Sequence, residues 1–139
     1  MKELRGHGVA LITPFKSNGA IDFGAIPGII KHLITGGVDY LVVLGTTAES
    51  TSLSNDEKKD LIEAIVNCNA GTLPLVIGIG GNNTPKVIEE IISIDMSHFS
   101  AVLSVTPYYN KPNQEGLYRH FCAIAENSSL PIILYNVPS

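Results

Sequence analysis

Cysteine is scarce in this chain: Cys68 and Cys122 are the only two, far apart in helical-looking segments, with no spacing of a metal site or redox pair around either. They are expected to be buried free thiols in a reducing compartment. A basic run is also lacking. Nine Lys and Arg against 13 Asp and Glu give a formal net charge of -4, scattered along the sequence. That balance leaves no electrostatic footprint for nucleic acid or for an anionic membrane, and it points to a small-molecule partner. No apolar stretch approaches the roughly 20 residues of a spanning helix, and the first, residues 9–12, is closed at once by Thr13-Pro14. The expectation is a soluble, cytoplasmic protein without a secretory signal. His7, His32, His98 and His120 show no paired ligand spacing, and nothing resembles a zinc, calcium or P-loop motif, so neither a metal nor a cofactor is expected.

What is present is apolar and regularly spaced. At 139 residues and 45% hydrophobic, the chain is long enough for one domain that buries roughly two thirds of its unfolded surface. Five short runs rich in β-branched residues, 9–12, 40–44, 75–79, 101–105 and 132–135, read as strands. Their near-continuous hydrophobicity suits parallel strands covered on both faces.

Amphipathic stretches lie between them. Ser54-Asn55-Asp56-Glu57 is a capping box that opens a helix with Leu61, Ile62, Ile65 and Val66 on one face and Gly71 at its close. Thr84-Pro85 predicts an N-cap followed by proline, with Val87, Ile88, Ile91 and Ile92 as the buried stripe. The stretch after Asn113 buries Leu117, Phe121 and Ile124; that from Asp22 to about Thr35 contains Pro27 and Gly28 but keeps Ile26, Ile29, Ile30 and Leu33 at helical spacing. Strands therefore start about 30 residues apart, as in βα units, and no composition shift marks a linker, so residues 1–139 are expected to form a single domain. Such units build either a doubly wound open sheet or an eight-stranded barrel of about 250 residues. The sequence closes on its fifth strand with no helix to cover it, which favours part of a barrel.

In both architectures ligands collect at the carboxyl ends of the strands. The residues there are Thr13, Thr46, Thr47, Thr106, Tyr109 and Tyr135. A threonine hydroxyl both donates and accepts, so between two tyrosines it passes a proton from one phenol to the other. The bland alternative stays open for each: threonines that satisfy a turn, tyrosines that are half-buried aromatics with wet hydroxyls. Glu49 is either a lone acid of the site or a hydrogen-bonded buttress of its loop. Gly78-Ile79-Gly80-Gly81-Asn82-Asn83 lacks the third glycine of a dinucleotide loop and reads as a tight strand-to-helix turn.

Three segments in order, Gly45-Thr46-Thr47-Ala48-Glu49-Ser50, Val105-Thr106-Pro107-Tyr108-Tyr109-Asn110-Lys111-Pro112 and Leu134-Tyr135-Asn136-Val137-Pro138-Ser139, resemble the dihydrodipicolinate synthase family, and the resemblance runs from Gly8 to the last residue. It implies a (β/α)8 barrel of which this chain holds strands one to five and helices one to four. The implied activity condenses pyruvate with aspartate 4-semialdehyde in lysine and diaminopimelate biosynthesis, through a Schiff base between pyruvate and a lysine. Tyr135 would be the proton donor and acceptor, Thr46 the link of the relay, and Tyr109 its completion in a neighbouring subunit's site. Thr46 and Thr47 would hold the pyruvate carboxylate. The resemblance thus implies a homo-oligomer, dimer or tetramer. Sister members such as N-acetylneuraminate lyase usually carry Ser-Thr where this chain has Thr46-Thr47. An open-sheet binding module without catalysis is the alternative from another class.

Departures from the family pattern are informative. Ala48 stands where glycine is usual, a change expected to be tolerated. In feedback-inhibited members the lysine effector binds near the segments corresponding to residues 50–58 and 82–86; here Lys58 and Lys86 add positive charge, which predicts weak or no inhibition by lysine. None of Lys2, Lys16, Lys31, Lys58, Lys59, Lys86 or Lys111 ends an apolar strand. The resemblance implies that the family's Schiff-base lysine, on the sixth strand, and the arginine that follows the serine of its last segment would lie beyond this sequence, and the chain alone is expected to be inactive.

Overall fold

Each of the five β-branched runs folds as a strand, β1 (Gly8–Ala10), β2 (Tyr40–Val43), β3 (Leu75–Gly78), β4 (Ala101–Val105) and β5 (Ile132–Tyr135), in a computed structural model that describes residues 4–137. Lys2, Pro138 and Ser139 lie outside the described residues. Four helices connect the strands: α1 (Ile26–Thr35), α2 (Asn55–Asn69), α3 (Thr84–Ser93) and α4 (Gln114–Glu126). The chain divides into two compact units, Met1–Val76 and Ile77–Ser139, with the division inside β3.

In the first unit β1 and β2 pair in parallel, Gly8 opposite Tyr40, Val9 opposite Leu41 and Ala10 opposite Val42. On the other side of β2, Leu41 N–H donates to the Pro74 carbonyl at 3.1 Å, so the order is β1-β2-β3. The runs end earlier than their hydrophobicity suggests: Ile12 and Leu44 follow the strands, and Leu44 turns the chain at φ 56°. α1 tolerates Pro27 because proline sits in the first turn, where a missing N–H breaks no helical bond. Ile26 and Ile30 are its buried residues, with Ile29 and Leu33 half-buried beside them.

The capping box of α2 is complete. Ser54 Oγ accepts from Glu57 N–H at 3.2 Å, and Glu57 Oε2 accepts from Ser54 N–H at 2.8 Å. Leu61 and Ile65 are the hydrophobic residues that this helix buries fully. Its end differs from expectation by one residue, since Ala70 takes the left-handed position at φ 46° and Gly71 follows at 73°. Asn69 closes the turn, its side chain donating to the Leu73 carbonyl and accepting from Leu73 N–H at 2.8 and 3.1 Å.

In the second unit Ile79 N–H donates to the Leu103 carbonyl at 3.0 Å, and β4 pairs in parallel with β5 from Val102 opposite Ile132 to Val105 opposite Tyr135. The order here is β3-β4-β5. α3 and α4 pack together. The cap of α3 is Asn83 rather than Thr84: the Asn83 side chain accepts from Lys86 N–H at 3.2 Å, and Thr84 is already the first helical residue. Its stripe is also narrower than the sequence suggests, with Val87 and Ile91 buried but Ile92 67% exposed. Asn113 caps α4 by accepting from Gly116 N–H at 2.8 Å, and Ile124 is buried. Cys68 and Cys122 are free as expected, but half-buried rather than buried.

Candidate active site

The segment after β2 is built by an alternation of anchors and free side chains. Leu44, Ala48 and Leu53 are buried, whereas Thr46, Thr47 and Glu49 are exposed between them. Gly45 is extended, Thr46–Ala48 makes one 3-10 turn, and Glu49 reverses the chain at φ 54° into a second turn, Ser50–Ser52. Ala48 N–H donates to the Gly45 carbonyl and Glu49 N–H to the Thr46 carbonyl, both at 3.0 Å. Ser52 N–H and Oγ both donate to the Glu49 carbonyl, at 2.9 and 2.7 Å.

Thr13 reaches this turn from beyond β1. Its side chain is buried, 5% exposed, and Oγ1 donates to the Ala48 carbonyl at 2.7 Å. Bracing of the loop therefore falls to Thr13 and Ser52. The hydroxyls of Thr46 and Thr47 and the carboxylate of Glu49 make no hydrogen bond among the described residues, so the reading of Glu49 as a hydrogen-bonded buttress is corrected. Ala48 keeps its φ outside the left-handed region, so the methyl group in place of a glycine costs no backbone strain.

In the second unit, the two tyrosine segments leave the sheet from one point. Tyr135 is the last residue of β5, opposite Val105, and its carbonyl accepts from Thr106 N–H at 2.9 Å. Thr106 thus fixes the start of the segment that carries Tyr109. Asn110 N–H donates to the Tyr108 carbonyl at 2.8 Å, and Tyr109 between them holds φ 67° with 92% of its surface exposed. A non-glycine residue pays strain for that backbone, which is more common at functional sites than in ordinary loops.

Gly80 is where a side chain would not fit: a Cβ there would stand 2.7 Å from Val105 Cγ1 and 3.0 Å from its backbone nitrogen. The glycines after β3 thus serve close packing in a strand-to-helix turn, as the sequence reading has it. Among the described residues no group of three His, Cys, Asp or Glu side chains could hold a metal ion. No helix among the described residues is long and apolar enough to cross a membrane. Lys16, Lys31, Lys58, Lys59, Lys86 and Lys111 all lie outside the strands.

Five of the sequence-predicted residues therefore follow or close strands with their hydroxyls unengaged among the described residues: Thr46 and Thr47 on one turn of the first unit, Thr106, Tyr109 and Tyr135 in the second. What sequence spacing missed is the pairing of Thr13 with Ala48, which are 35 residues apart and become neighbours only because β1 lies beside β2. In α/β folds of βα units ligands collect at the carboxyl ends of the strands, where these side chains stand.

Comparison with known proteins narrows the class. The chain belongs to the dihydrodipicolinate synthetase family, whose model matches residues 3–139. It is 61% identical over 138 residues to a 4-hydroxy-tetrahydrodipicolinate synthase of Flavobacterium psychrophilum, covering 99% of this chain and 47% of the relative. A dihydrodipicolinate synthase of Acinetobacter baumannii, solved as a chloride-inhibited form with pyruvate, superposes with a TM-score of 0.93 at 40% identity, covering 98% of this chain and 47% of that one. A structure described as the first monomeric dihydrodipicolinate synthase variant gives a TM-score of 0.90 at 41% identity, covering 96% of this chain and 44% of that one. The chain spans about half the length of the curated relatives it matches. Its fold class is that of these (β/α)8 enzymes, of which it supplies five strands and four helices.

Proposed function

We propose that this chain carries the proton-handling part of a 4-hydroxy-tetrahydrodipicolinate synthase site, which condenses pyruvate, held as a lysine Schiff base, with L-aspartate 4-semialdehyde. The carrying observation is that Tyr135 and the segment bearing Tyr109 diverge from one hydrogen bond, donated by Thr106 N–H to the Tyr135 carbonyl, at the carboxyl ends of β5 and β4. Membership of the family and the unengaged hydroxyls of Thr46 and Thr47 support the same reading.

Forming a Schiff base requires a proton on the departing hydroxyl of the pyruvate carbon, and condensation requires one on the new alkoxide. In this reading Tyr135 gives and retrieves those protons, Thr46 relays them, and Tyr109 supplies the far end of the relay in a neighbouring copy's site. Thr46 and Thr47 hold the pyruvate carboxylate, a task suited to hydroxyls on a turn that does not consume them. The exposure of Tyr109 fits a residue that acts away from its own unit. A homo-oligomer, dimer or tetramer, in the cytoplasm follows from this reading; a monodisperse monomer in light scattering would count against it.

The nucleophile is not assigned to any lysine of this chain, because family resemblance puts that lysine on a sixth strand and the described strands number five. Borohydride reduction with pyruvate, followed by intact mass, tests the division of labour. No adduct is expected on this chain, while an adduct is expected on an active enzyme that contains it. A stoichiometric adduct on the 139-residue chain would overturn the assignment.

A further inference from the structure

Thr13 is a side chain from outside the hydroxyl loop that is bonded to its first turn. Oγ1 lies 2.7 Å from the Ala48 carbonyl oxygen, and both residues are buried, at 5% and 2% exposure. The turn it holds has little internal support. Thr46–Ala48 is three residues long, closed by two i-to-i+3 bonds, and such turns do not sustain themselves in isolation. Left-handed, non-glycine residues stand on both sides, Leu44 at φ 56° and Glu49 at φ 54°. Backbone of that kind persists only where surrounding structure over-determines it.

The bond also sits at an informative point. Ala48 follows Thr47 directly, and its carbonyl lies between the two threonines and the reversal at Glu49. Fixing that carbonyl fixes the peptide planes on which Thr46 and Thr47 are carried. Thr13 itself is held in place: it precedes Pro14, which restricts its backbone to extended conformations, and it follows Leu11, whose N–H donates to the Val42 carbonyl at 2.9 Å. A rigid line thus runs from the β1–β2 pairing through Thr13 to the loop. Low polarity around two buried partners makes the bond stronger than the same bond in water.

We infer that Thr13 is a positioning residue, which sets the orientation of the Thr46–Thr47 turn toward a carboxylate ligand without touching that ligand. The inference rests on the proposed function for the identity of the ligand, pyruvate, and on the hydrogen bond for everything else.

The test uses the chain as it stands. Thr13→Val removes the donor at nearly constant volume, and Thr13→Ser restores a hydroxyl. Pyruvate titration is followed through the backbone amide resonances of Thr46 and Thr47, and amide hydrogen exchange is measured across the chain. Expected is a saturable pyruvate response in the wild type and in Thr13→Ser, weakened about tenfold in Thr13→Val, the loss of about one buried hydrogen bond. Exchange at Ala48 and Glu49 rises by a similar factor in Thr13→Val, while α2 amides keep wild-type protection. Unchanged pyruvate response in Thr13→Val overturns the inference, and so does a uniform rise in exchange over the whole unit, which marks mere destabilisation. Should wild-type Thr46 and Thr47 amides not respond to pyruvate, the proposed function loses its ligand, and the exchange contrast between loop and α2 decides for or against Thr13 by itself.

Discussion

Thr84 Oγ1 and His120 Nδ1 lie 2.8 Å apart, joining the first residue of α3 to the middle of α4. The ring is almost wholly buried, at 5% exposure, and its other nitrogen, Nε2, has no partner among the described residues. Burial holds the His120 pKa below the ordinary histidine value, because the charged form loses its water. In the protonated ring both nitrogens carry hydrogen, and Nε2–H has nothing among the described residues to receive it.

The stability of the chain should therefore fall as pH drops through the ordinary histidine range. The unfolded chain takes up the proton near 6.5 while the folded chain resists it, so the stabilisation is full above that value and is lost between it and the lower folded pKa. Urea midpoints measured from about pH 7.5 to about pH 5 check this. His120→Gln, which retains a polar group for Thr84, should flatten the decline; a decline of equal size in that variant would assign it to other groups.

Ser54 and Glu57 act in a different pH window. The backbone hydrogen bond from Ser54 holds the Glu57 pKa below 4.5, so its contribution is present above that value and is lost as pH falls below it. Ser54→Ala should cost about 1 kcal/mol at neutral pH through the lost cap. It should also raise the Glu57 titration, followed by carboxyl resonances, only part of the way toward its ordinary value, because alanine keeps the backbone N–H that donates to Oε2 and loses only the hydroxyl donor. A titration unmoved by the substitution would show that the Ser54 hydroxyl does not donate to Glu57 in solution.

The five strands and the cap at Ser54 were legible because each is written locally, in β-branched runs and in a polar residue just ahead of an amphipathic stretch. The positions of the candidate residues were legible for the same reason, since Thr46 and Thr47 lie on the turn after β2, Thr106 follows β4 and Tyr135 closes β5. The Asn83 cap was missed because asparagine and threonine stand side by side and both make good caps. Thr84 is occupied by His120, a contact 36 residues away that no local pattern announces. Ile92 was misplaced because helical spacing marks a face but not its width. Thr13 illustrates the general limit: a strand-end threonine reads as a rim residue, and only the pairing of β1 with β2 turns its side chain into a brace.

Gly8 and Tyr40 test that pairing directly. They are opposite each other in register, and a Cβ at residue 8 would fall 2.0 Å from Tyr40 Cζ, so the ring lies across the glycine. Gly8→Ala should push the ring aside and cost about 1–3 kcal/mol. In a Tyr40→Ala background the same substitution should cost almost nothing, a coupling that a double-mutant cycle on urea midpoints measures. Additive losses would mean that the ring does not cover Gly8.

Lys58 and Lys86 bear on regulation by resemblance, since they fall in segments corresponding to those near a lysine effector in feedback-inhibited relatives. A cationic effector is disfavoured beside added positive charge. Lysine titration of an active enzyme containing this chain should show weak or no inhibition. Strong inhibition at submillimolar lysine would refute the reading, and Lys86→Glu, which reverses one charge, should increase sensitivity if the reading is right.

The proton relay makes the most demanding prediction, because its members are assigned to act as one unit. In an active enzyme containing this chain, Tyr135→Phe keeps the ring and removes only the hydroxyl, and it should lower kcat by about 10²–10⁴-fold, the usual range for a lost general acid or base. Thr46→Val should fall in the same range while also raising the KM for pyruvate, since Thr46 is assigned to both relay and carboxylate. Thr47→Val should raise that KM with a smaller effect on kcat. The double variant Tyr135→Phe with Thr46→Val should be scarcely slower than the worse single variant, because a chain of proton transfers is broken once at any link. Independent, multiplicative losses in kcat would separate the two residues into unrelated roles and dissolve the relay.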